Sequence, residues 1–286
     1  ITGNLVIPDA TTSIGNYCFT SCTFNGTLTL GNGLQTIGES AFGGNQSLVG
    51  DLTIPVTVTS LGASAFSGNV GFNRHLTIDS GINIPFACFY DCRNFSKLTI
   101  AEGVNIIGES AFENLSSITG NLKLPNSITS IGARAFFGCS KIDGYLSLGP
   151  NITSIGDCAF VKSIDSEEII QEKEKLSTDP DMDYYDRIIY DDTYYSAIFS
   201  KIYIQSSLPP TITIKSFGLK ETTISDKRFI KREIVERQPG WSRKRQYDIY
   251  NAYRYRGSYP NHLIVPTGCT ANYSDWEVDL IEEVDF

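Results

Sequence analysis

The stretch "GWSRKRQYDIYNAYRYRG" sets Trp241, Tyr247, Tyr250, Tyr253 and Tyr255 among Arg243, Lys244, Arg245, Arg254 and Arg256. Interleaved cations and flat rings suit three kinds of partner: single-stranded nucleic acid, sugars, and the hot spots of protein interfaces. Nucleic acid fits worst, because nucleic-acid domains carry a basic excess whereas this chain has a net charge of −9. Trp241, Arg243, Arg245, Tyr250, Tyr253, Arg254 and Tyr255 are therefore candidates for contact with a protein or a glycan, with packing against the rest of the chain as the competing account.

Other reactive groups do not assemble into known chemistry. His75 and His262 are the two histidines, and neither stands in a nucleophile motif, a glycine-rich phosphate loop or a His-Glu metal helix. No catalytic residue and no cofactor is assigned, and the chain is read as non-enzymatic. In "DPDMDYYD", Asp179, Asp181 and Asp183 alternate as at the start of a calcium loop. Tyr184 and Tyr190 then stand where that loop needs a turning Gly and a bidentate Glu, so a solvated acidic loop is expected. Upstream, Asp165 with Glu168 opens a charged stretch that reads as a short exposed helix.

Seven cysteines make an odd count in a long chain, which argues against a disulfide framework. Cys18/Cys22 and Cys88/Cys92 share a CxxxC spacing, but no histidine is in phase with them and no zinc site is expected. With Cys139 they read as small buried thiols.

These residues hang on a repeated frame. "TSIGARAFFGC" at Thr129 is rewritten as "QTIGESAFGGN", "TSLGASAFSGN" and "NIIGESAFENL". Aligning its phenylalanine gives Phe19, Phe42, Phe66, Phe89, Phe112, Phe136 and Phe160, spaced 23 or 24 residues apart. Before each lies an apolar-polar-apolar triplet, from "LVI" at Leu5 to "LSL" at Leu146, with the period of a strand that buries one face. A third marker, the Ile or Leu at 14, 37, 61, 84, 107, 131 and 155, is usually followed by Gly, expected here to supply positive φ in a turn. One unit cannot bury its own apolar side, so the units must stack in parallel into a solenoid, with the phenylalanines as an interior ladder.

The outward residue of each triplet is then Val6, Thr29, Thr53, Thr77, Thr99, Lys123 or Ser147. This threonine-rich line is a second candidate surface, able to bind an extended polar partner over many rungs, although β-branched Thr also favours strands for its own sake.

The pattern "LxIPxxxTSIGxxAFxGC" resembles the BspA-type leucine-rich repeats of bacterial surface and secreted proteins, continuously from Ile1 to Phe160. The resemblance implies a leucine-rich repeat right-handed solenoid, curved, with short parallel β-strands in one sheet, and an adhesion or binding role. It also implies an extracellular or cell-surface location.

After Phe160 the period breaks. An acidic insertion (161–201) holds 5 basic and 11 acidic residues, a further rung spans 202–217, a basic aromatic insertion occupies 218–261, and a last strand with a cap is expected in 262–286. Residues 202–260 hold 12 basic and 5 acidic residues, so the two neighbouring regions are of opposite sign. No apolar run reaches the roughly 18 residues of a membrane span. The expected function is non-catalytic recognition of a protein partner, such as a host or matrix protein, through the solenoid and its insertions. A carbohydrate-binding module and a structural repeat without a ligand are the alternatives. Six Asn-x-Ser/Thr triplets, Asn25-Gly26-Thr27 the first, leave a glycosylated eukaryotic surface protein open.

Overall fold

The computed structural model describes residues 2–163, 195–197, 201–205, 211–212, 262–266, 269 and 280–284. The apolar-polar-apolar triplets form the first line of strands: β1 (Leu5–Val6), β3 (Leu28–Thr29), β5 (Gly50–Ile54), β7 (Phe72–Ile78), β8 (Lys97–Ile100), β10 (Leu122–Lys123) and β12 (Leu146–Leu148). All pairings between them are parallel, with Leu5 opposite Leu28, Leu52 opposite Leu76, Leu76 opposite Leu98, and Leu122 opposite Leu146.

A second line runs beside it where a single sheet was expected. The "TSI" residues pair as β2 (Ser13–Ile14), β4 (Thr36–Ile37) and β6 (Ser60–Leu61), and again as β9 (Ile106–Ile107), β11 (Ser130–Ile131) and β13 (Ser154–Ile155). A single bridge from Ile84 to Ile107 carries the rung between the two groups. The protein is a parallel β-solenoid, and no helix occurs among the described residues.

Beyond Phe160, β14 (Val161–Ser163) pairs antiparallel with β15 (Tyr195–Ala197). The first line continues through β16 (Lys201–Ile204), β18 (His262–Pro266) and β19 (Leu280–Val284), with Leu146 opposite Ile202, Ile202 opposite Leu263, and Leu263 opposite Ile281. In the second line β17 (Thr211–Ile212) follows β13. The calcium-like Asp179, Asp181 and Asp183 and the helix expected from Asp165 lie outside the described residues.

Inside, the phenylalanines form the expected column. From Phe19 through Phe42, Phe66, Phe89, Phe112 and Phe136 to Phe160, successive ring centroids lie 5.1 to 5.5 Å apart, with the planes between 3° and 20° of parallel. A second short stack, Phe72 on Phe95 at 5.4 Å, fills the core of two middle rungs.

The column is held by the turn around each Phe. The N–H groups of Ser40, Phe42 and Gly44 donate to the Ala63, Ala65 and Ser67 carbonyls of the next rung, at 3.0, 2.8 and 2.7 Å. Those of Ala41 and Gly43 turn back to Gly38 and Ser40 within the rung. Alternate amides therefore point along the stack, which requires the backbone to alternate in hand. The residue two before the Phe has φ between 47° and 59° in all seven rungs, from Tyr17 to Cys158, although none is Gly. The residue two after it repeats this in six rungs, as Ser21, Gly44, Gly68, Asp91, Asn114 and Gly138. Left-handed backbone at a non-glycine residue costs about 1 kcal/mol or more, and the inter-rung ladder offsets it.

The glycines after the Ile or Leu marker do a different job from the one expected, for none has a positive φ. A Cβ on Gly62 would lie 2.3 Å from the Glu39 backbone nitrogen, and one on Gly132 would lie 2.4 Å from that of Glu109. They are glycines because the preceding rung crosses directly beneath them. Gly15, on the first rung, has nothing within 4 Å.

Three residues after the Phe, the interior takes a hydrogen-bond donor on several rungs, with Leu115 the apolar exception. Asn69 Nδ2 donates to the carbonyls of Phe66 at 2.6 Å and Phe42 at 2.9 Å, and Asn45 spans Phe42 and Phe19 likewise. Cys92 and Cys139 take the same place and donate from Sγ to the Phe66 and Phe112 carbonyls at 3.0 and 3.3 Å. Asn45 begins one of the glycosylation-like triplets yet is fully buried, so that triplet is structural. Cys88, Cys92 and Cys139 are buried as expected, whereas Cys18 is exposed and Cys22 half-buried, because no described rung covers their outer side.

Phe112→Ala should destabilise the protein by about 3–5 kcal/mol in urea denaturation, the usual range for emptying a core aromatic site. A loss below about 1 kcal/mol would mean the ring column does not carry the fold.

Burial pushes the Cys92 and Cys139 thiols up to about 12, from an ordinary 9.0. Between those values the unfolded chain releases protons that the folded chain keeps, so stability must fall as pH rises through the window. The expected slope is about 1.4 kcal/mol per pH unit for each thiol. Urea midpoints taken under reducing conditions from pH 8 to 11 should decline, and less steeply in a Cys92→Ala, Cys139→Ala variant. Equal slopes in the two proteins would assign the alkaline loss to other groups.

Candidate functional site

The first strand line presents the expected outward series. Thr29, Thr53, Thr99 and Lys123 are exposed and Thr77 is half-buried. Thr53 lies opposite Thr77 and Thr77 opposite Thr99, so the hydroxyl line is continuous through β5, β7 and β8. His75, on the same face, is 2.8 Å from the Thr99 hydroxyl through Nε2. Its backbone N–H is held by the Asp51 carboxylate at 3.0 Å. Ser147 departs from expectation and is only 9% exposed. It is a small side chain in a strand paired on both sides, opposite Lys123 and Tyr203. Trp241, Arg243, Arg245, Tyr250, Tyr253, Arg254 and Tyr255 lie outside the described residues.

The second strand line explains why "TS" recurs. The Thr129 and Thr153 hydroxyls donate to the Asn105 and Thr129 carbonyls of the preceding rung, at 3.1 and 2.8 Å. The serine column joins hydroxyl to hydroxyl, Thr36 to Ser13 at 2.7 Å and Ser154 to Ser130 at 2.9 Å. At the corners, side-chain oxygens of Asn4, Asp51 and Asn121 accept the Thr27, His75 and Tyr145 N–H groups one rung on. Many polar groups of the motif are thus committed to joining rungs.

The wall of turns around the Phe column carries a third surface, hidden among the variable positions of the repeat. On it Tyr17 is 56% exposed, Phe86 54% and Tyr90 37%. The Tyr17 hydroxyl donates to Glu39 one rung on, and this bond to a carboxylate raises its pKa. Arg134 forms a two-point pair with buried Glu113, with Nε 3.0 Å from Oε2, and its guanidinium carbon lies 4.1 Å over the Phe137 ring. Arg93 is held by Asp91 at 2.7 Å. The signal for this wall was present in the sequence. Phe86 and Tyr17 replace small, polar or charged residues of other rungs, and Tyr90 shares its place with only one other ring, Phe137, but alignment on shared positions discards such exceptions.

Among the described residues, no group of three or more His, Cys, Asp and Glu could hold a metal ion, and no helix is long and apolar enough to cross a membrane.

Among solved structures, the chain is similar to a leucine-rich repeat protein from Bacteroides ovatus ATCC 8483, at 19% identity over 55% of this chain and 57% of that one, with a TM-score of 0.33. It is similar to a leucine-rich cell surface protein from Faecalibacterium prausnitzii A2-165, at 20% identity over 53% and 55%, with a TM-score of 0.28. It is also similar to the pneumococcal vaccine antigen PcpA, at 15% identity over 99% and 68%, with a TM-score of 0.40. The matched parts are thus little more than half of the first two proteins. No curated protein matches the chain. The model of the BspA type leucine-rich repeat region matches in six copies over residues 2–83 and 82–179. With most of its length under that model and its rungs stacked as described, the chain belongs to the BspA-type leucine-rich repeat family.

Proposed function

We propose that this protein is a non-catalytic recognition protein of the bacterial cell surface or the secreted fraction, binding a protein partner. The solenoid serves as platform, and the insertions at 161–201 and 218–261 supply specificity. The observation that carries this reading is the division of labour along the repeat. Asn, Cys, Thr and Ser at the shared positions are spent on inter-rung bonds, whereas the outward line from Thr29 to Lys123 points to solvent and has freedom to vary. Proteins built this way recognise through extended surfaces made of many rungs. The names of similar solved proteins, one a cell surface protein and one a vaccine antigen, accord with a surface location.

Within this reading, Trp241, Arg243, Arg245, Tyr250, Tyr253, Arg254 and Tyr255 form the main contact, with Tyr, Trp and Arg in the roles they take at interface hot spots. Thr29, Thr53, Thr77, Thr99 and Lys123 form a supporting face.

The test is a binding screen of the intact chain against host matrix proteins and glycans. It is run beside a variant in which residues 163–195 and 219–259 are replaced by short linkers and which is shown to fold. Binding of a matrix protein by the intact chain, lost in the variant and weakened as salt rises, is the expected result. Equal binding by both would move recognition to the threonine face. Binding of glycans alone would replace a protein partner with a carbohydrate, and silence from both would leave a structural repeat.

A further inference from the structure

The turn wall already contains one complete cation site, built from neighbouring rungs. Glu113 on one rung grips Arg134 from the next, and the guanidinium lies over the Phe137 ring. Glu113 and Phe137 hold the same place on consecutive rungs, one residue after the core Phe. A ring and a carboxylate share a place on consecutive rungs twice more, at Tyr90 and Glu113, where the carboxylate already holds Arg134, and at Phe86 and Glu109, each three residues before the core Phe. The Ala87 N–H donates to the Glu109 carbonyl at 2.9 Å, which fixes their register.

Here the two groups face solvent. Phe86 is 54% exposed, Glu109 is also exposed, and the two ion pairs found among the described residues, Arg93–Asp91 and Arg134–Glu113, do not involve Glu109. Phe86 and Glu109 therefore set a ring and a carboxylate on consecutive rungs, as Phe137 and Glu113 do, in the opposite order and without a cation. Three rungs earlier Tyr17 and Glu39 form another exposed ring and carboxylate. Between the two pairs the wall carries small residues, among them Gly43, Ala63 and Ser67.

We propose that this wall binds a basic segment of a partner polypeptide, with one Arg or Lys side chain seated between the Phe86 ring and the Glu109 carboxylate. The ring face attracts the cation and the carboxylate pairs with it, as they do for the protein's own half-exposed Arg134. A second cation of the same segment meets Tyr17 and Glu39. Three rungs, at about 4.8 Å by strand pairing and 5.1 to 5.5 Å between the stacked rings, set the two sites about 14 to 16 Å apart, which about four or five residues of extended chain span. This surface uses neither insertion nor the threonine face, so it stands or falls separately from the proposed function.

The experiment measures fluorescence anisotropy of a labelled peptide, Gly-Ser-Arg-Thr-Ser-Thr-Arg-Ser-Gly, titrated with the full chain at low ionic strength. Phe86→Ser and Glu109→Gln should each weaken binding by about 3- to 30-fold, the range for a cation held on a ring face. Both positions are exposed, so both variants should melt with the parent protein, and the melting temperature checks this. A peptide with its two arginines adjacent should bind more weakly than the spaced one. The acidic insertion is a competing attractor for any cation, but Phe86→Ser leaves every charge in place. Unchanged binding by that variant would put the peptide elsewhere and overturn the proposal, as would absence of binding by the intact chain. Equal affinity for the two peptides would overturn the second cation site.

Discussion

Each rung from Phe19 to Phe136 donates alternate turn amides to the carbonyls of the next, and most of the structure follows from that ladder. It fixes the rung separation at the spacing of paired strands, which is also a workable stacking distance for phenyl rings. The rings of Phe19 to Phe160 therefore stay within half an ångström of one spacing through seven layers. Alternate amides can point along the stack only if the chain turns left-handed on both sides of the Phe, and from Phe19 to Phe136 it does so at Ser, Ala, Arg and Asn as readily as at Gly. Here the local preference of the residue yields to the geometry of the stack.

The same spacing turns each repeat position into a column with a single environment. A buried column next to the backbone can supply donors to main-chain carbonyls, and Asn and Cys exchange there, as at Asn69 and Cys92, although Leu115 fills the same place on one rung. A column beneath which another rung crosses favours a residue without Cβ, as at Gly62 and Gly132, and Pro85 is its one exception. Polar residues in a leucine-rich pattern are thus not surface by default. Asn45 is sealed in the interior, and Ser147 is covered where strands flank it on both sides.

Recognition is left to positions that the stack does not use. These are the outward residues of the first strand line, the turn wall, and the segments that leave the rod after Phe160. The turn wall shows how a column becomes specific. Where neighbouring rungs place a carboxylate beside an aromatic ring, the fold itself has seated Arg134 once. Where the ring and carboxylate recur at Phe86 and Glu109, they meet solvent.

The spacing of seven phenylalanines, the triplets from Leu5 to Leu146 and the Ile or Leu marker determined the stacking, the parallel register and the identity of the interior ladder. They could do so because a column repeats one side chain at one period, and that period is visible in one dimension. Tertiary structure alone decided which backbone runs beneath Gly62, which hydroxyls of "TSIG" bond the preceding rung, and that the "TSI" residues pair as a second line of strands. It alone placed Phe86 beside Glu109 and Phe137 beside Glu113. Those relations join residues 21 to 24 positions apart in different rungs, and their meaning depends on side-chain direction and on what the next layer covers, neither of which periodicity encodes.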